Sequence, residues 1–322
     1  MPPQPSSGRR VPAWVSPVVR IAVTAGLMAY AVRGVKWADL RQHFQHATWG
    51  WWVAGLAASL GVQAVAGVRW AALARPLGFD RPRRFFVWRF FEGMFFSLCL
   101  PSSIGGDVVK AYRIGDSTSR RLLAGCSVLA DRLTGLAALG VLAMTALAAT
   151  KYRLGVAGVA GVAAGLLVGV LAAFWLGLQS IERILALLPE HHPARPLVAR
   201  LLPYQQRPVL IAKAVAWSFI VQMGGAVVVA LMARTLQVDL PLGVWFAIVP
   251  LVALLMVLPI SIGGFGMREN AMEFLLGEQG VSSDRAVAVA LLWGLATVVT
   301  GLVGGLLFLL DRGPPTPLPE EG

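Results

Sequence analysis

Ionisable side chains recur inside stretches of this chain that are otherwise apolar: Arg20, Arg69, Arg89, Glu92, Asp107, Asp131, Arg132, Arg268 and Glu269. Such groups are costly in hydrocarbon, so at membrane depth they face an interior pathway or a partner of opposite charge. Two Pro/Gly-rich breaks concentrate them. Leu100-Pro101-Ser102-Ser103-Ile104-Gly105-Gly106-Asp107 is followed by Lys110, and Leu258-Pro259-Ile260-Ser261-Ile262-Gly263-Gly264-Phe265-Gly266 by Met267-Arg268-Glu269. Backbone N–H groups freed at such a break, beside a cationic side chain, make an anion site. The candidate substrate-binding residues are therefore Arg268, Glu269, Arg132, Asp131, Asp107, Lys110, Ser103, Ser261 and Arg69. Pro101, Gly105, Gly106, Pro259, Gly263, Gly264 and Gly266 are candidates for hinge freedom and open backbone groups. The competing reading is structural: Asp–Arg and Arg–Glu pairs that lock helices together, or side chains that snorkel to the interface.

No enzyme signature accompanies these residues. A phosphate-cradling Gly-Lys-Ser/Thr loop, a His-Glu-x-x-His zinc motif, a Gly-x-Ser-x-Gly elbow and an Asp-x-Asp pair are all missing from the sequence. The expectation is a protein that is not an enzyme and that needs no cofactor or metal. Cys99 and Cys126 read as packing residues, and His43, His46, His191 and His192 fall in connecting loops.

The elements that must position these residues follow from composition. Of 322 residues, 57% are hydrophobic and 14% charged, and the mean hydropathy is +0.70. Soluble domains carry about 25% charged residues, so the chain reads as an all-α polytopic membrane protein. Its net charge of +12 is read as the cytoplasmic excess of Lys and Arg that orients such proteins, with no nucleic-acid partner. Apolar segments of about 20 residues, the length the hydrocarbon core requires, lie near Ala13–Val32, Trp49–Leu73, Leu122–Thr150, Leu154–Leu178, Val209–Ala233 and Ala286–Leu310. Asp131-Arg132 begins a helix in this reading, as does Arg268-Glu269. Residues 1–13 form a disordered basic tail, 14–310 a single transmembrane domain and 311–322 a second disordered tail. Arg75, Arg81, Arg83 and Arg84, with Phe85, Phe86 and Trp88, are expected to rest on anionic headgroups.

The two breaks share Leu-Pro-x-Ser-Ile-Gly-Gly at an offset of 158 residues, and the same offset carries the apolar segment at Trp49 onto Val209 and that at Leu122 onto Ala286. The domain thus divides into halves of about 14–150 and 151–310, each with three transmembrane helices and one interrupted segment. Placement of Lys and Arg favours interrupted segments that re-enter on their own side over eight full crossings. Six spans plus two re-entrant elements result, with both termini cytoplasmic. Three crossings per half invert the second half relative to the first.

These motifs resemble the flippase-like integral membrane family that includes the transmembrane region of lysylphosphatidylglycerol synthase. The resemblance rests on Arg69-Trp70; on Leu100-Pro101 through Gly105-Gly106-Asp107; on Ser127 with Asp131-Arg132 and Gly135; and on Pro259, Ser261, Gly263, Gly264, Gly266, Arg268 and Glu269. Ser97 stands where the family usually has Asn, and Lys110 where it has Arg, keeping charge without the bidentate fork. The resemblance implies a translocating module, without the soluble catalytic domain, in a bacterial inner membrane. It also implies a flippase moving a phospholipid or lipid-linked headgroup between leaflets. Arg268, Arg132 and Lys110 would then attract an anionic headgroup, while Glu269, Asp107 and Asp131 orient those cations or carry a coupled proton. The alternatives are an accessory protein for a lipid or cell-envelope transferase, and an ion-coupled small-solute carrier.

Overall fold

The computed structural model describes residues 44–99, 105–149, 175–192, 194–257 and 263–311, together with 22, 25–31, 33, 165, 168, 169, 172 and 261. Every regular element among them is helical. In chain order they are α1 (Trp49–Ala74), α2 (Arg83–Cys99), α3 (Gly105–Ile114), α4 (Thr118–Ala149), α5 (Ile181–Leu187), α6 (Arg195–Ala199), α7 (Leu202–Gln206), α8 (Pro208–Arg234), α9 (Leu242–Met256), α10 (Met267–Gly277) and α11 (Ser283–Leu310). Residues 25–31 are helical as well. Four described helices are long and apolar enough to cross a membrane: α1, α4, α8 and α11. Residues 1–13, most of the expected span at Leu154–Leu178, and the tail beyond Asp311 lie outside the described residues. So do Pro101, Ser103 and Pro259.

Local chemistry sets the boundaries. After α1 a 3-10 turn at Arg75–Leu77 carries Pro76 and closes on Gly78, whose φ of 89° suits glycine. The helix α8 opens with Pro208 in its first turn, where the missing N–H costs nothing. The two interrupted segments both become helix–break–helix units, α2 with α3 and α9 with α10.

The first unit is an antiparallel hairpin. Gly106 at the start of α3 lies against the Gly93 carbonyl and the Ser97 hydroxyl late in α2, while Arg113 at the end of α3 reaches back to Glu92. In the second unit Gly264 lies against Met256 at the end of α9.

Packing between the halves is reciprocal. Helices α1 and α8, which correspond at the 158-residue offset, run antiparallel: Gly55 meets Met232, Val62 meets Gly224, and Arg69 meets Ser218. The offset carries α2 onto α9 and α4 onto α11, and accordingly α2 packs on α11 and α4 on α9. Lipid offers no hydrophobic drive between helices, so such contacts rely on close approach of small residues. Gly304 of α11 sits on the backbone of Phe91 and Glu92, Gly301 on Leu98 and Gly305 on the Phe95 ring.

The charge is polarised between the ends of the bundle. Arg75, Arg81, Arg83, Arg84, Arg113, Arg120 and Arg121 gather where α1, α3 and α4 meet, and Arg183, Arg195, Arg200 and Arg207 lie on the neighbouring segment of α5–α7. Tyr204 of α7 ties that segment down by donating to the Leu73 carbonyl at 2.8 Å. The opposite end carries Arg234 and Arg285 against Asp239, Glu273, Glu278 and Asp284.

Candidate functional site

Asp131-Arg132 lies in the middle of α4, because the helix begins earlier than expected, at Thr118, on a turn rich in arginine. Consecutive residues on a helix diverge by about 100°, and the two side chains serve different neighbourhoods. Asp131 turns inward. Its carboxylate accepts from Arg69 Nε at 2.7 Å and Nη2 at 3.0 Å, a bidentate pair between α4 and α1 with side chains only 6% and 7% exposed. Arg69 Nη1 donates to the Ser218 hydroxyl of α8 at 2.8 Å, so three helices share one buried charge. Breaking such a pair from one side leaves an uncompensated buried ion, at about 3–5 kcal/mol.

Arg132 turns outward. Its guanidinium donates to Asp107 on α3, Nε to Oδ2 at 2.8 Å and Nη2 to Oδ1 at 3.1 Å, yet 52% of the side chain remains exposed. Asp107 also accepts from Lys110 Nζ at 3.1 Å. That ammonium is buried 4.2 Å from the centre of the Phe90 ring, a cation–π contact that favours the charged amine. Two cations thus share one carboxylate, and the cluster has one net positive charge.

Asp107 and Arg132 form the polar floor of a groove, with Lys110 buried behind them. Asp107 and Ala111 of α3, Leu129 and Arg132 of α4, Met256 near the end of α9 and Trp293 of α11 line an open volume of about 810 Å³ with mostly apolar walls. A half-exposed guanidinium beside acyl-sized apolar walls is the chemistry of a ligand with an anionic head and a greasy body.

The second break is closed. Arg268 and Glu269 open α10, and their side chains are 1% and 0% exposed. Arg268 donates to Glu269 Oε1 from Nε at 3.1 Å and Nη2 at 2.6 Å. The other carboxylate oxygen accepts the Gly266 N–H at 2.6 Å, satisfying one of the orphan donors of the helix start. The guanidinium lies against Gly294, 4.8 Å from the Phe265 ring centre and 5.8 Å from that of Trp293. Gly263, Gly264 and Gly266 have φ of 59°, 76° and 80°, left-handed values that only glycine adopts readily. Asn270 links this turn to the helical residues 25–31 by donating to the Leu27 carbonyl at 2.8 Å. The buried Ser261 hydroxyl has no hydrogen-bond partner among the described residues.

Of the sequence-derived candidates, Asp107, Lys110 and Arg132 come together, Arg69 and Asp131 pair behind them, and Arg268 and Glu269 form a separate sealed pair. Sequence reasoning passed over Ser218 and Trp293, and of a four-residue ion network it singled out Arg89 and Glu92 but not their partners Arg113 and Asp311. In that network Glu92 accepts from Arg89 at 2.6 Å and from Arg113 Nε at 3.3 Å. Arg89 and Arg113 also reach Asp311, at 2.5 and 2.6 Å. Asp311, the expected first residue of a disordered tail, thereby fastens the end of α11 to the α2–α3 hairpin. Arg113 lies one turn beyond Lys110, a spacing that could have flagged it; nothing near Asp311 announces the pairing. Cys126 is half-buried, whereas Cys99 is exposed on the helix surface, not packed.

A family model described as the lysylphosphatidylglycerol synthase TM region matches residues 18–305. Comparison with curated proteins gives no significant match.

Proposed function

Because the chain belongs to the family of the lysylphosphatidylglycerol synthase transmembrane region, and is a multi-pass membrane protein, we propose that it moves an anionic phospholipid or lipid-linked headgroup between membrane leaflets. The observation that carries this reading is the open groove at Arg132. Its apolar walls suit acyl chains, and its cation cluster exceeds its carboxylates by one charge. Arg132 binds the anionic group, Lys110 adds to the field, and Asp107 holds both cations in place when the groove is empty. Asp131 and Arg69 position α4 from behind. Arg268 and Glu269 brace the second break and set where α10 begins.

The membrane placement belongs to the same proposal. The arginine-rich end lies in the cytoplasm, as the positive-inside bias requires. The α2–α3 hairpin then re-enters from that side and α9–α10 from the other, because α1 and α8 run antiparallel. The halves form an inverted repeat, with both termini cytoplasmic, in a bacterial inner membrane. The chain acts without cofactor or metal and is not itself an enzyme. An accessory role for a lipid transferase is the second reading, favoured by the openness of the groove alone.

Vesicles of phosphatidylcholine holding the purified protein and a trace of labelled phosphatidylglycerol test the assignment. The expected result is accelerated loss of inner-leaflet protection of the label, reduced at least tenfold by Arg132→Gln. Equal rates with and without protein, alongside Arg132-dependent lipid binding, would support the accessory reading. A cysteine at Arg83 should react from the cytoplasm and one at Asp239 from outside; same-side labelling would overturn the topology.

A further inference from the structure

A second cavity lies beside the groove, between α1, α8, α9 and α11, with a volume of about 170 Å³, room for several waters or a small polyol. Its lining differs in kind. Ser59 and Gln63 of α1, Gln222 of α8, and Thr297 and Thr300 of α11 face it, and among the described residues no ionisable one does. These side chains have capacity to spare. The Thr297 and Thr300 hydroxyls each donate to a carbonyl one turn back, at 3.0 and 2.7 Å, which leaves their oxygens to accept. Gln222 commits one N–H, to the Gly135 carbonyl at 3.3 Å, out of two donors and one carbonyl oxygen. Pro250 also lines the cavity and supplies no N–H to the Phe246 carbonyl four residues earlier.

The cavity and the groove share two walls, Ala253 of α9 and Trp293 of α11. Ala253 is small, and Arg268 lies 5.8 Å from the centre of the Trp293 ring. A partition of one methyl group and one indole is thin. A group held at Arg132 could extend past it into the neutral cavity.

We propose that this cavity binds the uncharged, hydroxyl-rich tip of the headgroup whose anionic part sits at Arg132. An ionised tip would be desolvated there without a counter-charge, and an apolar tip would leave the spare hydrogen-bonding capacity of these side chains unused. Neutral polyols match both conditions. The proposal rests on the reading of the groove as an anionic-headgroup site and adds the class of headgroup. The shared chemistry is vicinal hydroxyls, which glycerol and inositol both offer.

Binding of three synthetic dioleoyl lipids to the full-length purified protein, read by native mass spectrometry, tests this. The lipids are phosphatidic acid, phosphatidylglycerol and phosphatidylinositol, which share a phosphate and differ in the tip. Wild type should bind one or both polyol lipids about tenfold more tightly than phosphatidic acid, the worth of one to two net hydrogen bonds. Preference for phosphatidylglycerol alone assigns an open-chain polyol, and for phosphatidylinositol alone a ring. Gln222→Leu combined with Thr297→Val should bring all three within about twofold while phosphatidic acid binding stays unchanged, which also shows that the variant is folded. If that variant loses phosphatidic acid too, Ala253→Leu, which narrows the partition with the polar groups intact, should abolish the preference by itself. No preference in wild type, or a preference that survives whichever of these variants still binds phosphatidic acid, would overturn the proposal. Arg132→Gln separates the two readings. Undiminished phosphatidic acid binding in that variant sinks the groove assignment, whereas the polyol preference reports on the cavity.

Discussion

The two Pro/Gly breaks start from nearly the same seven residues and end as opposite devices. At the first, Lys110 shares Asp107 with Arg132, and Arg132 stands half-exposed in an open groove. At the second, Arg268 occupies the position matching Lys110, but its partner is the adjacent Glu269, and neither meets solvent or lipid. The glycines diverge in the same way. Gly106 is helical and small because the Gly93 carbonyl and Ser97 hydroxyl press on it, whereas Gly264 and Gly266 supply left-handed turns. One break leaves a cation half-exposed in an open groove and the other spends its charge on its own geometry. A duplicated motif therefore need not fold into duplicated surroundings, and the partner of each cation decides which copy stays open.

If that contrast holds, the largest effect on folding comes from the sealed pair. Glu269→Gln leaves Arg268 buried without a counter-charge and weakens the acceptor for the Gly266 N–H. A loss of about 3–5 kcal/mol is expected, read as a collapse of thermal stability in detergent whatever lipid is added. A Glu269→Gln protein as stable as wild type would break the comparison by making the second site as loose as the first. Next in size are the glycines. Gly106→Ala drives a Cβ into the Gly93 carbonyl, backbone against backbone, at about 1–3 kcal/mol. At Gly264→Ala the obstructing atom is the mobile tip of Met256, so the strain of φ 76° dominates, at about 1 kcal/mol. Gly225→Ala meets nothing within 4 Å and serves as the neutral control. The order Gly106, Gly264, Gly225 in chemical denaturation of detergent-solubilised protein sharpens the distinction between a contact glycine and a turn glycine.

Much of this architecture was legible in the residues. Apolar length located α1, α8 and α11 to within a few residues, since the hydrocarbon thickness leaves little freedom. The shared Leu-Pro-x-Ser-Ile-Gly-Gly located both interrupted segments. The helix α4 starts at Thr118, ahead of the apolar pattern that Arg120 and Arg121 interrupt, because a helix can begin in water and continue into lipid. The candidate site was legible as residue types but not as pairings. Asp131 and Arg132 are neighbours in sequence, yet they serve α1 and α3 respectively, a division set by how α4 is rotated in the bundle. Ser218 was invisible because a hydroxyl in an apolar run normally satisfies itself on its own helix. Here it does so, donating to the Ala214 carbonyl at 2.8 Å, and still accepts from Arg69.

The smallest effect on stability should belong to the residue with the largest effect on the ligand. Arg132 is half-exposed, and its pair with Asp107 is the kind that contributes little net energy, about 0–1 kcal/mol. In Arg132→Gln, Asp107 keeps Lys110 as a partner, so no buried charge is orphaned. Thermal unfolding should therefore match wild type within about 1 kcal/mol, while binding of an anionic lipid falls about 10- to 100-fold, the worth of one charge-assisted hydrogen bond. Asp107→Asn separates the carboxylate from the cation it holds. With the competing acceptor neutralised, Arg132 is freer for an incoming anion, and affinity should rise or stay level. A fall in anionic-lipid affinity in Asp107→Asn as steep as in Arg132→Gln would mean that the pair acts only as a strut between α3 and α4, and the two breaks would then be alike in being structural.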